Sequence, residues 1–286
     1  MQKFQLTTPI LLVGFTRFET AQNVFDEIRK AKPRQFFLAV DGPREGRLDD
    51  IERCNKTKQI AAQVDWECEV HTLFQEKNLG CGVGTTRAIN WMFEHVEEGI
   101  IFDDDCVPDQ SFFRFCQELL EYYKDDPSVM HISGDNFQMG RKRGNASYYF
   151  SRYTHNWGWA TWRRAWKHND FEMLPPELRR HIWDKQWLKS VERMGGLAIL
   201  PNVNLITNIG DGPGATHTEG DSPFLRLPVA PMPFPLVHPA RIQRNARADW
   251  YTYRTMFGGT LYAYLLQKFL RTIPVGVKTK IKSVVR

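Results

Sequence analysis

One stretch of the sequence constrains the fold more than any other: Ile100-Ile101-Phe102 runs directly into Asp103-Asp104-Asp105, and Pro108 follows. The apolar run is typical of the end of a buried strand in a parallel sheet. The three carboxylates then stand at the carboxyl edge of that sheet, where ligands bind in open α/β folds. Adjacent like charges repel one another, and a divalent cation held by hard oxygen ligands relieves the repulsion. The stretch therefore predicts a Mn²⁺ or Mg²⁺ site, with a solvated acidic turn as the alternative.

The rest of the first half alternates strands with helices. The predicted strands are Ile10–Phe15, Gln35–Val40, Glu67–Leu73, the strand that ends at Phe102, and Val129–Ser133. The predicted helices are Glu19–Lys30, Asp49–Val64, Thr85–Val96 and Ser111–Lys124. This alternation predicts an α/β fold, with a doubly wound, mainly parallel sheet flanked by helices.

Composition and cysteine use narrow the class of protein. The chain has 286 residues, of which 42% are hydrophobic and 13% aromatic, so it can bury a substantial core and is not a disordered chain. Its five cysteines form no CxxC pair, which favours free thiols in a reducing compartment over disulfides or structural zinc. We expect no signal peptide, because the N-terminus has no charged region followed by an apolar stretch, and no membrane-spanning segment, because no run of about 18 apolar residues exists. The sequence therefore predicts a cytoplasmic protein.

Basic charge is concentrated in the C-terminal part of the chain. Residues 241–286 hold ten Lys or Arg and one acid, a net charge of +9, which leaves −4 for the first 240 residues out of the total of +5. That distribution argues against a nucleic-acid-binding core. From Pro228 to Pro239 five of twelve residues are proline, which predicts an extended linker. The basic tail predicts peripheral attachment to the anionic inner face of a membrane, and a helix packed on the domain is the alternative.

Strand ends in such a sheet meet in one crevice. The candidates there are Phe15, Arg17 and Asp41, beside the three aspartates. Arg17 is suited to pair with a phosphate, and Asp41 to accept a hydrogen bond from the N–H of a nucleobase. The run Gly80-x-Gly82-x-Gly84 only loosely resembles a dinucleotide fingerprint, because the GxGxxG spacing is missing. It offers backbone N–H groups to an anion at a helix start, or it forms a plain βα turn.

The second half is rich in aromatic residues and contains a glycine-rich loop. Aromatic faces bind sugar rings, but we expect most of the nine tryptophans in the core, with one or two at a site. The loop Asn204–Asp221 carries His217 after a strand-like segment. A histidine in such a polar loop is a candidate ligand for a metal ion or a phosphate, and a structural role is the alternative.

The order of these features resembles a GT-A-type glycosyltransferase, most closely the N-acetylglucosaminyltransferase I group with its bacterial relatives. The resemblance covers about Pro9 to Thr218. The triple aspartate resembles the Glu-Asp-Asp metal motif of that group, and Thr16-Arg17 and Asp41 match positions that contact the nucleotide. The other matches are Trp157-Gly158-Trp159 to a Gly-x-Gly-Trp turn beside the donor sugar, Ile182-Trp183-Asp184 to a Phe-Trp-Asp segment with the catalytic base, and Ala215-Thr216-His217 to a Ser-His segment near the diphosphate.

The first glycine of the Gly-x-Gly-Trp turn is absent, and the chain departs from that group at three further positions. The triplet begins with Asp103 where the eukaryotic group has Glu. Gly84, with Arg87 nearby, stands where the eukaryotic group has a histidine. Lys185 follows Asp184 where the group has a second Asp. Because of these departures, the resemblance does not identify the donor sugar. The assignment of the general base depends on Asp184 alone.

The resemblance implies an inverting transfer of a sugar from a nucleotide-diphosphate donor, a UDP-sugar by analogy, to a hydroxyl of a glycan or lipid-linked acceptor, with Mn²⁺ or Mg²⁺ as cofactor. The implied metal ligands are Asp105 and His217, and contact with the diphosphate is the alternative role for His217. Asp103 or Asp104 then reaches the ribose or a water molecule. The implied donor-binding residues are Phe15, Arg17, Asp41, Arg87, Asp103, Asp104, Trp157, Gly158 and Trp159.

Asp184 is the candidate general base. It lies between Trp183 and Trp187, an apolar setting that is suited to raise the pKa of a carboxylate toward the working pH. Three other carboxylates compete for the role: Asp135, Asp211 and Asp221.

This interpretation divides the chain into three parts: 1–135 as the nucleotide-sugar-binding half, 136–227 as the acceptor-binding half of the same GT-A domain, and 228–286 as linker and basic tail. Two rival functions stay open. A sugar-phosphate nucleotidyltransferase would need a glycine-rich, basic first loop, which Gly14-Phe15-Thr16-Arg17 lacks. A non-catalytic carbohydrate-binding protein on the same scaffold is the second rival.

Overall fold

The computed structural model describes residues 4–211 and 222–261 of the chain. The strands are β1 Ile10–Gly14, β2 Gln35–Val40, β3 Glu69–Phe74, β4 Glu98–Asp103, β5 Cys106–Pro108, β6 Val129–Ser133, β7 Tyr148–Ser151, β8 Trp159–Trp162, β9 Leu197–Pro201 and β10 Ile206–Asn208. The helices are α1 Phe18–Ala31, α2 Leu48–Lys58, α3 Cys81–His95, α4 Gln110–Tyr122, α5 Arg163–Trp166, α6 Pro176–Arg179, α7 Asp184–Arg193 and α8 Ala246–Met256. Short 3₁₀ turns lie at Gln59–Gln63 and Phe171–Met173.

Eight strands form one sheet, in the order β3-β2-β1-β4-β8-β6-β9-β7. The four strands from β3 to β4 are parallel, β8 is antiparallel to both of its neighbours, and β9 is parallel to β6. β7 lies antiparallel on the edge. Six strands therefore run in one direction and two in the other. The predicted fold class, a mainly parallel mixed α/β sheet flanked by helices, is confirmed.

The central strands are apolar because helices cover both of their faces. Leu11 on β1, Phe37 on β2 and Ile101 on β4 have no solvent exposure, which is typical of a parallel sheet between helical layers. On the edge strand β3, by contrast, Val70 and Thr72 are exposed. The carboxyl ends of β1, β2, β4 and β6 meet at one edge of the sheet, because these four strands run in the same direction.

A two-stranded antiparallel ribbon completes this edge. β5 follows β4 after the turn Asp104-Asp105 and pairs with β10, so that Asn208 lies opposite Cys106. The ribbon brings a segment from far along the chain against the triple aspartate. The sequence pattern predicted neither strand, because each has only three residues.

Most tryptophans lie in the core, as expected. The second half packs around a cluster of indole rings in which Trp159 stacks on Trp183 with ring centroids 5.6 Å apart. Trp166 and Trp187 complete the cluster at 5.0 Å from each other. All four are at most 5% exposed. The cluster fixes α5 and α7 against β8.

The proline-rich segment is extended but is not a free linker. The N–H of Met232 donates to Ser111 Oγ at 2.8 Å, and the N–H of Val237 donates to Ser147 Oγ at 2.9 Å. Met232 is also buried. These contacts hold the segment on the domain, which the count of prolines could not predict.

The chain divides into two compact units, Met1–Arg244 and Asn245–Arg286. In the second unit, α8 is capped by Asn245, whose side-chain oxygen accepts a hydrogen bond from the N–H of Ala248 at 3.0 Å. Most of the predicted basic tail lies outside the described residues. No helix in the described part of the chain is long and apolar enough to cross a membrane. The five cysteines are free thiols, as expected.

Candidate functional site

The triple aspartate stands at the carboxyl edge of the sheet, where the sequence placed it. Asp103 is the last residue of β4, and Asp104 and Asp105 form the turn that follows. Arg17, immediately before α1, reaches across from the end of β1. Its Nη2 contacts Asp104 Oδ1 and lies 2.8 Å from Asp105 Oδ2. One guanidinium nitrogen thus bridges two carboxylates.

Burial and mutual repulsion raise the pKa values of this cluster. Burial raises the pKa of Asp103 well above its ordinary value, and the charges of Asp105 and Asp104 raise it further. Burial also raises the pKa of Asp104, to about 6, although Arg17 opposes the shift. Burial lowers the pKa of Arg17, but the two carboxylates outweigh it and the pKa is raised overall. The cluster holds more negative charge than one guanidinium balances.

The end of β10 and the loop that follows it contact Asp105. Asn208 Nδ2 donates to Asp105 Oδ1 at 3.1 Å, and the N–H of Ile209 donates to the Asp105 carbonyl at 2.9 Å. Gly210 lies so close that an added Cβ would stand 2.1 Å from Asp105 Oδ2. These contacts hold the Asp105 carboxylate in a fixed position.

A cavity of about 450 Å³ adjoins Asp105. Its walls come from the ends of β1, β2, β3 and β4, the start of α3, the segment before α7 and the loop after β10. The lining residues are Val13, Gly14, Phe15, Thr16, Arg17, Ala39, Val40, Asp41, Arg44, Leu73, Gln75, Asn78, Gly80, Cys81, Gly84, Thr85, Asp103, Asp104, Asp105, Trp157, Arg180, His181, Asn208 and Gly210. Its size suits a nucleotide-sized ligand.

The carboxylates fit a divalent cation by their donor chemistry. Within residues 4–211 and 222–261, no group of three or more His, Cys, Asp and Glu side chains is arranged to hold a metal ion. Mg²⁺ is, however, usually bound by one or two carboxylates together with substrate phosphates and waters. The excess negative charge at Asp103–Asp105 and the adjoining cavity meet that requirement. His217, the other predicted metal ligand, lies outside the described residues.

Asp41 lines the cavity, but its carboxylate is already engaged. It accepts hydrogen bonds from the N–H groups of Gly42 at 2.8 Å, Leu79 at 2.9 Å and Gly80 at 3.0 Å, and from Asn78 Nδ2 at 2.9 Å. Burial raises its pKa, and those backbone donors oppose the shift. Asp41 therefore anchors the loop that leads into α3, a role that differs from the expected contact with a nucleobase.

The glycine run is not a turn that offers its N–H groups to an anion. α3 begins already at Cys81, and the N–H of Gly82 donates to the Arg180 carbonyl at 2.9 Å. A Cβ on Gly82 would lie 1.8 Å from the Arg179 carbonyl oxygen. Glycine is needed here because the backbone before α7 packs directly on the first turn of α3. This packing brings Arg180 and His181 into the cavity wall.

Two cationic side chains that the sequence did not single out line the cavity. The Arg44 guanidinium lies 5.5 Å from the centre of the Phe15 ring, and its Nε lies 2.6 Å from Asp50 Oδ2. Arg180 Nη2 donates to the carbonyl and side-chain oxygens of Asn78 at 3.3 and 3.4 Å. Arg44 follows the predicted turn after β2, which is a signal the sequence did contain. Arg180 reaches the site only through tertiary packing.

The Trp157-Gly158-Trp159 segment is divided between the cavity and the core. Trp157 lines the cavity. Gly158 has a φ of +59°, and an added Cβ would lie 2.5 Å from Ile206 Cδ1. Trp159 belongs to the indole cluster and stacks on His131 at 4.9 Å. The structure thus puts only the first of these three residues in the cavity wall.

Asp184 is the first residue of α7 and is exposed. The flanking Trp183 and Trp187 turn into the core, so the expected apolar setting around the carboxylate is not found. Its charge contributes to the raised pKa values of Cys81 and Asp103. Asp184 therefore lies near the cavity rim. Arg87, on α3, is exposed and is not among the lining residues.

The competing carboxylates have other partners. Asp135 is fully buried, with Oδ1 2.7 Å from His155 Nδ1. Asp211 pairs with Arg226 at 2.7 Å. Neither lines the main cavity. Asp221, like His217, lies outside the described residues.

Comparisons with known proteins assign the chain to no family. No protein-family model matches the chain, and no curated protein matches it. Among solved structures it is similar to the inositol-1-phosphate CTP transferase from T. maritima, with 10% identity over 74% of this chain and 93% of that one and a TM-score of 0.42. It is also similar to UDP-glucose pyrophosphorylase complexed with UDP-glucose, with 10% identity, 67% and 89% coverage and a TM-score of 0.41. A third is 4-diphosphocytidyl-2C-methyl-D-erythritolsynthase from Anaerococcus prevotii, with 8% identity, 66% and 97% coverage and a TM-score of 0.36. Similarities this low assign no activity.

Proposed function

We propose that the protein binds a nucleoside diphosphate sugar in the cavity and transfers the sugar, with inversion, to an acceptor hydroxyl. The observation that best supports this proposal is a nucleotide-sized cavity at the carboxyl edge of the sheet. Three aspartates and one arginine line it. Open α/β sheets bind their ligands at this edge. The same residues carry the resemblance to GT-A glycosyltransferases, including the N-acetylglucosaminyltransferase I group.

The residues can be given roles in such a transfer. Asp105 would hold a Mn²⁺ or Mg²⁺ ion, and Asp103 or Asp104 would contact the ribose or a metal-bound water. When bound, the metal ion would neutralise charge on the departing diphosphate. Phe15 and Trp157 give the cavity aromatic walls. Arg17 would pair with the phosphates, as a planar guanidinium suits.

Asp184 is the proposed general base. It stands at the rim of the cavity, close enough to Asp103 for their charges to interact. A base must meet the acceptor hydroxyl on the face of the sugar opposite the leaving group. An exposed carboxylate at the rim can receive such an acceptor from solvent. Asp135, which is buried against His155, is less suited to that role.

The acceptor and the location of the reaction belong to the same proposal. We propose a glycan or lipid-linked acceptor bound by residues 136–227, and a donor bound by residues 1–135. The charge of +9 in residues 241–286 supports peripheral attachment to an anionic inner membrane face. A cytoplasmic protein with this tail would meet a lipid-linked acceptor at that surface.

Sugar-phosphate nucleotidyl transfer is the second candidate. It would use the same cavity for a sugar nucleotide, and the similar solved structures named above include enzymes of that kind. Only three residues, Phe15, Thr16 and Arg17, connect β1 to α1. This loop is short for wrapping a nucleoside triphosphate, which favours glycosyl transfer. A silent carbohydrate-binding protein would bind a sugar nucleotide without turning it over.

A panel of UDP-, GDP-, CDP- and dTDP-sugars with Mn²⁺, run beside the nucleoside triphosphates with a sugar phosphate, separates the three candidate functions. Glycosyl transfer, or slow donor hydrolysis without acceptor, releases a nucleoside diphosphate and is lost in EDTA. Nucleotidyl transfer instead releases pyrophosphate from a nucleoside triphosphate and a sugar phosphate. Binding without either product indicates the silent protein. Full turnover in EDTA would contradict the metal dependence.

Two variants test the residue roles, with a third as control. Asp105→Asn should abolish Mn²⁺-dependent turnover and leave the fold intact. Asp184→Asn should leave nucleotide affinity nearly unchanged and lower transfer by about 10²–10⁴-fold, the usual contribution of a positioned base. Asp65→Asn removes an exposed carboxylate that pairs with Arg29 and should change neither property. An Asp184→Asn variant within a few-fold of normal would rule out this base.

A further inference from the structure

The position of Arg17 in the carboxylate cluster is that of a bound cation. A single nitrogen, Nη2, contacts Asp104 and Asp105 together, and both carboxylates are largely buried, with side-chain exposures of 7% and 14%. Oxygens of two adjacent carboxylates converge here on one positive centre. A divalent metal ion would be bound in the same arrangement. The ligand-free protein thus balances this pair of acids with its own side chain.

A metal ion bound by both of the oxygens that Arg17 contacts would displace this guanidinium. Mg²⁺–oxygen distances of about 2.0–2.1 Å would place the ion where Arg17 Nη2 now lies, between Asp104 Oδ1 and Asp105 Oδ2. Gly210 packs against the same atoms, since an added Cβ there would lie 2.1 Å from Asp105 Oδ2 and 3.1 Å from Arg17 Nη1. An ion bound between these two carboxylate oxygens would therefore need Arg17 to leave first.

Arg17 has room to move and an alternative partner. Its side chain is 22% exposed and lies on the wall between the main cavity and a second cavity of about 540 Å³, which Arg53 and Lys56 also line. A nucleoside diphosphate in the main cavity would bring phosphate oxygens next to Arg17. Guanidinium pairs with phosphate in a bidentate geometry at least as well as with carboxylate.

We propose that Arg17 holds the cation position in the ligand-free protein and transfers to the phosphates when the nucleotide binds, so that the metal ion enters only with the nucleotide. Arg17 is then a positioning residue that couples two ligands. The nucleotide half of this inference rests on the proposed function. The metal half does not, because it concerns what Mn²⁺ meets in the protein alone.

The inference is tested by Mn²⁺ titration of the full-length protein, with free Mn²⁺ followed by electron paramagnetic resonance. Without nucleotide, Arg17→Gln should bind Mn²⁺ about tenfold or more tightly than wild type, because the competing cation is gone. Saturating UDP should tighten Mn²⁺ binding to wild type by about tenfold or more, within the usual range of coupling between two sites. In Arg17→Gln that tightening should shrink by a similar factor.

Two further variants control for charge and for folding. Arg53→Gln removes one positive charge near the same cavity wall without touching the carboxylates, and it should leave Mn²⁺ affinity within a few-fold of wild type. Arg17→Lys retains a cation and should bind Mn²⁺ alone as weakly as wild type. Circular dichroism of each variant establishes that it is folded.

Equal Mn²⁺ affinity of wild type and Arg17→Gln in the absence of nucleotide overturns the inference. A gain in Arg53→Gln as large as that in Arg17→Gln also overturns it, since net charge would then be the cause. If UDP, GDP and CDP bind none of the proteins, the proposed function fails. The comparison without nucleotide still decides whether Arg17 holds the cation position.

Discussion

Two glycines in the first turn of α3 should respond in opposite directions to alanine. A Cβ on Gly82 would lie 1.8 Å from the Arg179 carbonyl oxygen, a distance that real contacts do not reach, so the segment before α7 must move. A Cβ on Gly84 would lie 3.5 Å from Asp41 Oδ2, which is ordinary van der Waals contact. Both residues are helical, so alanine suits the backbone at each.

The magnitudes follow from the contacts. Overpacking costs about 1–3 kcal/mol. Loss of the hydrogen bond from the Gly82 N–H to the Arg180 carbonyl adds about 0.5–1.5 kcal/mol. The higher helix propensity of alanine stabilises the fold by up to about 1 kcal/mol. Gly82→Ala should therefore lower the free energy of unfolding by about 0.5–4 kcal/mol. Gly84→Ala should raise it by about 0.5–1 kcal/mol.

Urea unfolding followed by tryptophan fluorescence measures both values, because five indoles are packed in the core. Gly82→Ala should also weaken the binding of a nucleotide, since Arg180 and His181 would be displaced from the cavity wall. If the two variants change stability in the same direction, or Gly82→Ala costs nothing, the close packing of residues 179–182 on α3 is not present in solution.

Two titratable groups, the half-buried Glu98 and the buried His131, should make stability depend on pH in opposite directions. Burial raises the pKa of Glu98 to about 7, so the fold loses stability as pH rises from about 4.5 to 7 and the carboxylate becomes charged. Glu98→Gln should therefore raise the free energy of unfolding by about 1 kcal/mol at pH 8, allowing for solvent screening. At pH 4 the variant should change it by almost nothing. Urea denaturation at the two pH values checks this, and a constant difference would contradict it. Burial lowers the pKa of His131 to about 3, so its contribution to stability is present above pH 6.5 and falls by about 2 kcal/mol between pH 6.5 and pH 5. The loss of stability caused by His131→Asn should accordingly be about 2 kcal/mol smaller at pH 5 than at pH 8, and an equal loss at both would show that His131 is not held neutral.

The neutral state of His131 follows from its hydrogen bonds. Trp187 Nε1–H donates to Nδ1 at 3.0 Å, so Nδ1 must accept. The proton is then on Nε2, which donates to the His155 carbonyl at 2.8 Å. A second proton on Nδ1 would break the bond to Trp187 inside the indole cluster. This geometry is the physical reason for the predicted loss of stability in acid.

The sequence predicted the parallel half of the sheet well because its signal is local. β2 and β6 have the predicted bounds, and β1 differs from the prediction by one residue, since unbroken apolar runs next to turn residues mark buried strands. β7 and β8 were not predicted, because their aromatic residues fit a core helix or loop equally well. The three-residue strands β5 and β10 depend on a pairing between distant segments, which no local pattern encodes.

The candidate site likewise has some features that depend on local sequence and others that depend on contacts between distant segments. Strand-end positions are local, and Phe15, Arg17, Asp41 and the triple aspartate all line the cavity as expected. What each side chain does there is not local. Asp41 looked available for a nucleobase, but its oxygens are taken by the loop before α3. The sequence also could not predict that Asp184 is exposed. Tryptophans that are neighbours in sequence do not indicate whether the first residue of a helix faces the core or the solvent.

These contacts form a chain that explains how the cavity is built. Asp41 at the end of β2 holds the loop before α3, and that loop sets the position at which α3 begins. The first turn of α3 then receives the backbone of residues 179–182, because Gly82 leaves space for it. Arg180 and His181 thereby line the same cavity as Arg17. A ligand in this cavity thus meets walls supplied by both halves of the chain, because the segment 179–182 packs on the helix that follows the nucleotide-side strands.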